Sequence, residues 1–534
     1  MIRLPAPTTL ALLLALAQPA TAATVAEGDE LAEIQDYRFW LLDAVATLDP
    51  QKAAGEEAMD VIRFLFEGLM NEDASGAMVP GTATGYTLSD DRLTYVFTLN
   101  ARAEWSDGTP VTAQDFVFAW RRLADPATAS PSGWFIELMN VRNAAAIRAG
   151  ELPKEELGLR ALDDRRLEIT LTRPTPYFVS MLGHPATFPV PRAQVETHGD
   201  GWTRPGTLTG NGAFTLAAHD PGAKISFAKN PLYHDAGNVI LQSATGITIN
   251  DQNTALTRYE AGDLDRFAIP AGQFPRLSER YPAEAVSLPR PCTYAYLVNL
   301  SEKGPEALKR PGIRRALSLA LDRDAIVEAV LQGDQQPAYG WTPPGIAGLA
   351  IPESAAAPYP DRLAEAISLM EAAGYTPDTP LRLRLGYNSS DDHRRIAMAL
   401  RGMWKGIGVE VSLSGLDWAA HAERLRSSDF DLARYGWCAD YNEASTFLDY
   451  FRATGGNAGG FAHAGYDRLM RDAATSGDPN REYRVAEDIL KQELPLIPVY
   501  HYARTEMIKP HVKGLPQGNV MNTWYGKDLY ITAH

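Results

Sequence analysis

The densest chemistry in the chain lies between Arg434 and Glu443. A guanidinium at Arg434, an indole at Trp437, a thiol at Cys438 and a carboxylate at Asp440 follow one another at the end of a strand-like run, 430–437. A carboxylate beside an aromatic face suits an ammonium ion, which needs a counter-charge and tolerates a π surface. A guanidinium a few positions earlier suits a carboxylate, which it can grip with two parallel N–H donors. Both charges together suit a zwitterionic ligand such as a peptide. Two plainer readings compete: Arg434 pairs internally with Asp431 or Asp440, or the charges are simply solvated.

The elements that must hold these groups read as an α/β chain. A βαβαβ run is expected as strand 381–385, helix 392–404, strand 409–413, helix 418–425 and strand 430–437. That order predicts a parallel sheet with right-handed crossovers. Ligands of such sheets sit beyond the carboxyl ends of the strands, where Arg434, Trp437 and Asp440 fall, with His393 just past the first strand. Upstream, 93–99 and 167–171 alternate as half-buried strands. Thr112 and Asp115 form a capping-box pattern that opens a helix burying Phe116, Val117, Trp120 and Leu123, with Trp105 and Trp120 expected in the core. Extended segments are expected at 224–228 and 246–249. A helix should end at Gly262, another should cover 313–321 with Asp322 capping the next, and 336–360 should be a loop. A short strand is expected at 494–500.

Composition narrows the class. The chain has 534 residues, 45% hydrophobic and 22% charged, which suits a large globular protein of several domains. A net charge of −16 without a basic stripe argues against nucleic acid as a partner. Met1-Ile2-Arg3, the apolar run 10–17 and Ala20-Thr21-Ala22 read as a secretory signal, residues 1–22, with no lipid-anchor cysteine after it. No later stretch is long and apolar enough to span a bilayer. Cys292 and Cys438, in a chain bound for an oxidising compartment, are read as one disulfide or, alternatively, as two free buried thiols. An enzyme is disfavoured. No G-x-S-x-G elbow has the required strand–turn–helix context, and ten histidines include no H-E-x-x-H, so neither a hydrolase triad nor a metal or other cofactor is expected.

A series of motifs, taken in order, resembles the periplasmic oligopeptide-binding proteins of ABC importers, family 5 of the extracellular solute-binding proteins. They are Leu48-Asp49-Pro50, Leu65-Phe66-Glu67-Gly68-Leu69, Trp105-Ser106-Asp107-Gly108 with 111–117, Asn211-Gly212-Ala213-Phe214, Asn230-Pro231-Leu232-Tyr233, Gly262-Asp263-Leu264-Asp265, Ala320-Leu321-Asp322-Arg323-Asp324 and 436–443. The resemblance covers essentially the whole secreted chain. It implies a two-lobed fold of three domains: 24–66 with 190–291 and 508–534, then 67–189, then a ligand lobe 292–507. It also implies a Cys292–Cys438 disulfide. By the same resemblance Asp440 holds a peptide's α-ammonium, and Arg434 and His393 meet its carboxylate at different peptide lengths. Trp437 and Trp418 line side-chain pockets, with Cys438 among them. Leu297 and Ala54 stand where the family pattern has acidic residues, which would make basic ligand side chains less favoured. The expected partners are short peptides and a membrane permease, for a monomer in the periplasm that does no chemistry on its ligand. Cell-wall peptides or another small solute are the alternative ligands, and a peptide-binding holdase or a peptidase the alternatives of a different class.

Overall fold

A computed structural model describes residues 23–534 apart from 271, 348, 350–356, 454, 477 and 517. The expected secretion signal and part of the expected loop 336–360 lie outside the described residues.

One mixed sheet runs through the molecule. Its strands lie in the order Val409–Leu416, Leu381–Asn388, Leu432–Cys438, Ala285–Val298, Leu496–Ile508, Arg266–Ala268, Asp36–Leu41, Ser243–Thr248, Lys224–Lys229 and Phe214–Asp220. The first three are the expected parallel strands, each reaching further at its carboxyl end than the pattern suggested. Leu381, Leu383 and Leu385 alternate inward, and helix Asp391–Lys405 covers them with Ile396, Leu400 and Trp404. Ser390 caps that helix, its hydroxyl oxygen accepting from the His393 amide at 3.1 Å.

The two longest strands, Ala285–Val298 and Leu496–Ile508, join the halves of this sheet. They pair antiparallel from Ala285 opposite Met507 to Leu297 opposite Leu496, with a register break between Pro289 and Thr293. Pro289 and Pro291 have no N–H to give the ladder, so pairing lapses there. The strand expected at 494–500 is therefore a thirteen-residue element. Arg504 and Glu506 hid its second half. They are tolerated there because the Arg266 guanidinium grips the Glu506 carboxylate at 2.8 and 3.0 Å in the interior.

A second sheet (Ala83–Leu88, Thr94–Leu99, Arg166–Thr170, Leu159–Ala161) packs against helix Ala113–Ala124. That helix opens as its sequence dictates, with the Thr112 amide donating to the Asp115 carboxylate at 2.8 Å. Trp105 and Trp120 are buried, as expected. One hydrophobic core runs through this unit and the strands around Asp36–Leu41, making them one lobe. The other lobe has a core on each face of its sheet, one around Leu383, Trp404 and Val499, the other around Trp341, Phe447 and Tyr466.

Several motifs prove to be interior fittings. Buried Glu67 accepts from Tyr233 at 2.6 Å and Asn71 at 2.8 Å and pairs with His234 at 2.7 Å. Asn211 brackets its backbone. Three motifs distant in sequence thus meet in one satisfied network. Asp322 caps the next helix, and buried Arg323 donates to the Pro498 carbonyl.

Candidate functional site

Asp440 stands just past strand Leu432–Cys438, where the two lobes meet. Its neighbours are pinned on both sides. The Ala439 amide donates to the Pro291 carbonyl at 2.7 Å, and the Tyr441 ring stacks on Tyr177 of the other lobe at 4.6 Å. The Asp440 amide donates to the Thr446 hydroxyl at 3.0 Å, and that hydroxyl approaches the carboxylate at 3.5 Å. Among the described residues no cation pairs with this carboxylate. Burial pushes its pKa up to about 6, with only the Thr446 hydroxyl opposing. Cys438, one step before Ala439, is bonded to Cys292 directly across the strand pair, which ties the site to the joining strand.

Beside Asp440 opens a cavity of about 350 Å³ between the lobes. Its other walls include Glu56, Asp60, Trp134, His184 and Arg290. The charges there pair with one another. Glu56 meets Arg290 at 3.0 Å and also Arg504, and Asp60 meets Arg63 at 3.0 Å. Burial raises Asp60 to about 6 and lowers His184 to about 3, so this imidazole is neutral. An ammonium entering the cavity would find Asp440 as the carboxylate without a cation.

Arg434 is built differently. Its guanidinium lies over the Tyr294 ring at 4.9 Å and donates to the Tyr502 hydroxyl at 2.9 Å and the Asn388 carbonyl oxygen at 3.4 Å. Gly436 leaves the room, since a Cβ there would come within 3.1 Å of the guanidinium. Neither expected internal partner is used: Asp431 is held by Arg384 at 3.1 Å. His393 faces Tyr294 at 5.4 Å between ring centres. Burial first, and then the nearby Arg434 charge, lower its pKa to about 4, so it is neutral. The His421 imidazole meets the Arg434 carbonyl at 2.9 Å, and Trp418, 62% exposed, stands beside His421.

Strand alternation therefore divides the expected residues. Arg434 and Cys438 point to one face of their strand, and Trp437 to the other, where it packs near Tyr435 and Tyr450. Arg434, His393 and Trp418 gather at the carboxyl ends of the parallel strands, with Asp440 and Cys438 at the lobe junction. Leu297 is fully buried in a core and lines no part of the cavity. Ala54 is exposed next to Gly55, a cavity wall. Tyr294, Tyr502, Asn388 and His421 went unread in the sequence. For Tyr294 and Tyr502 the signal was available only from knowing that the two long strands are neighbours of 432–438. Among the described residues no cluster could hold a metal, and no helix is long and apolar enough to cross a membrane.

Comparison with known proteins fits this geometry. Residues 77–459 match the bacterial extracellular solute-binding proteins, family 5 Middle. The chain is 40% identical to the periplasmic murein peptide-binding protein MppA of Escherichia coli, over 99% of each. It is 38% identical to the probable deoxycholate-binding periplasmic protein YgiS of the same organism, over 97% of each. It is also 38% identical to the periplasmic oligopeptide-binding protein OppA of Salmonella typhimurium, over 97% of this chain and 96% of the relative. The structure superposes on the unliganded open form of MppA with a TM-score of 0.89, covering 95% of this chain and 99% of that one at 39% identity. A second structure of the E. coli protein, also 39% identical, gives 0.74 over 94% and 100%.

Proposed function

The chain belongs to family 5 of the bacterial extracellular solute-binding proteins, and from that premise we propose that it captures short peptides by lobe closure in the periplasm and hands them to the permease of an ABC importer. Asp440 holds the α-ammonium. Arg434, with neutral His393 beside it, meets the carboxylate of peptides long enough to reach it. Trp418 and Trp437 wall side-chain pockets, and Cys438 keeps the strand end in place beneath the ligand backbone. The closing bodies are 292–507 on one side and, on the other, 67–189 carried on 24–66, 190–291 and 508–534. The pairing lapse at Pro289–Thr293 supports a hinge there, since a broken ladder bends at less cost than a continuous one. Residues 1–22 direct export and are removed in the process, and the secreted protein acts as a monomer.

The observation that carries this reading is Asp440, a carboxylate with no cation partner among the described residues, on the wall of an interlobe cavity. A charge so placed costs stability unless a ligand completes it. Titration calorimetry with a mixed panel of two- to five-residue peptides tests the proposal. Binding of several unrelated sequences is expected, and binding of none overturns it. The likeness to a murein peptide-binding protein favours cell-wall peptides as a second reading. Mass spectrometry of ligand carried through purification distinguishes the two by the presence of diaminopimelate.

A further inference from the structure

Of the chain's ten tryptophans, two stand exposed among the described residues: Trp418 at 62% and Trp134 at 46%. They mark opposite ends of the site. Trp418 lies beside the Arg434 cluster, and Trp134 lines the cavity that Asp440 also lines. The position of Trp134 is fixed by its own helix, Gly133–Leu138. Phe135 and Ile136 are fully buried there, so the preceding residue must face outward. Gly133 leaves room for the end of the Arg148 side chain, which pairs with Glu137. A large indole held in a cavity and left half in water is the surface a ligand side chain covers best.

The structure assigns Trp134 a specificity role: it is the wall on which the side chain of a bound peptide's N-terminal residue packs, favouring peptides that begin with a large apolar or aromatic residue. The inference rests on Asp440 as the ammonium site. An ammonium on that carboxylate sets the first residue against a wall of the cavity, and a side chain directed into the cavity meets Trp134. Inside, Glu56 is already paired with Arg290 and Asp60 with Arg63. Beyond its edge contact with Phe135, the indole keeps apolar area open, with 46% of the residue exposed. Trp134 belongs to the unit 67–189, so that unit contributes to ligand choice as well as to the lobe's core.

Calorimetry with two tripeptides that differ only in beginning with Phe or Gly tests the inference. The unsubstituted protein should bind the Phe peptide about tenfold more tightly. Trp134→Ala should erase that preference while leaving the Gly peptide within about twofold, and Trp134→Phe should keep most of it. Binding of the Phe peptide should also shift tryptophan emission in the unsubstituted protein, and much less in Trp134→Phe. A preference that survives Trp134→Ala overturns the assignment and leaves the Asp440 reading intact. Failure of the unsubstituted protein to bind either peptide overturns both. Equal loss of both peptides in Trp134→Ala, with binding kept in Trp134→Phe, would make the residue structural and also overturn the assignment.

Discussion

The two ends of the site solve opposite problems with different economies. Arg434 arrives with its partners in place: an aromatic face at 4.9 Å, a phenol at 2.9 Å and a carboxamide oxygen at 3.4 Å. Asp440 has one hydroxyl at 3.5 Å and a pKa raised to about 6 by burial. Those neutral partners orient the Arg434 guanidinium without neutralising it, and among the described residues its buried Nε has no acceptor, so it stays open to a carboxylate that only some ligands are long enough to bring. A poorly solvated carboxylate gains a great deal from an ammonium, so it suits the contact every ligand makes. The contrast predicts that affinity resides at Asp440 and is only trimmed at Arg434.

That contrast can be broken in order of expected effect. Asp440→Ala should weaken binding of any free-amine peptide by about two orders of magnitude, near 3 kcal/mol, measured by calorimetry. Next in size is pH. The carboxyl is ionised above about 6 and protonated below, so affinity should fall about tenfold between pH 7 and pH 5. His393, lowered to about 4, and His184, lowered to about 3, stay neutral across that window. Asp60, raised to about 6 in the same cavity, titrates with Asp440 but is paired with Arg63. Asp440→Asn should therefore flatten most of the profile. Because burial raises this pKa, the ionised form destabilises the empty protein above pH 6 and not below the unfolded value. Asp440→Asn should accordingly raise the melting temperature of the ligand-free protein at pH 7.5 by about 1–3 °C, read by calorimetric scan. Arg434→Ala should cost about fivefold for peptides whose carboxylate reaches it and nothing for the same peptides amidated. Trp418→Ala, at a residue 62% exposed, should change affinity about twofold at most.

Much of this arrangement could be read from the chain. The βαβαβ run was legible because Leu381, Leu383, Leu385 and the helix face Ile396, Leu400, Trp404 keep clean periods of two and near four. The placement of Asp440 beyond a strand end followed from that run. Strand Ala285–Val298 and the second half of Leu496–Ile508 were not legible, because Pro289, Pro291, Arg504 and Glu506 contradict a strand pattern unless the pairing lapse and the Arg266–Glu506 pair are known. With those strands hidden, Tyr294 and Tyr502 could not be placed under Arg434. Leu297, expected to bear on ligand choice, packs in a core for the same reason: strand Ala285–Val298 turns that residue inward, opposite Ala433 and Leu496.

The central claim is that Asp440 binds an α-ammonium, and a two-by-two measurement reaches it most directly. The affinities of one peptide, free and N-acetylated, are measured on the unsubstituted protein and on Asp440→Asn. Acetylation should weaken binding to the unsubstituted protein by about two orders of magnitude and binding to Asp440→Asn by no more than about threefold. Equal penalties on both proteins would place the ammonium elsewhere and contradict the account.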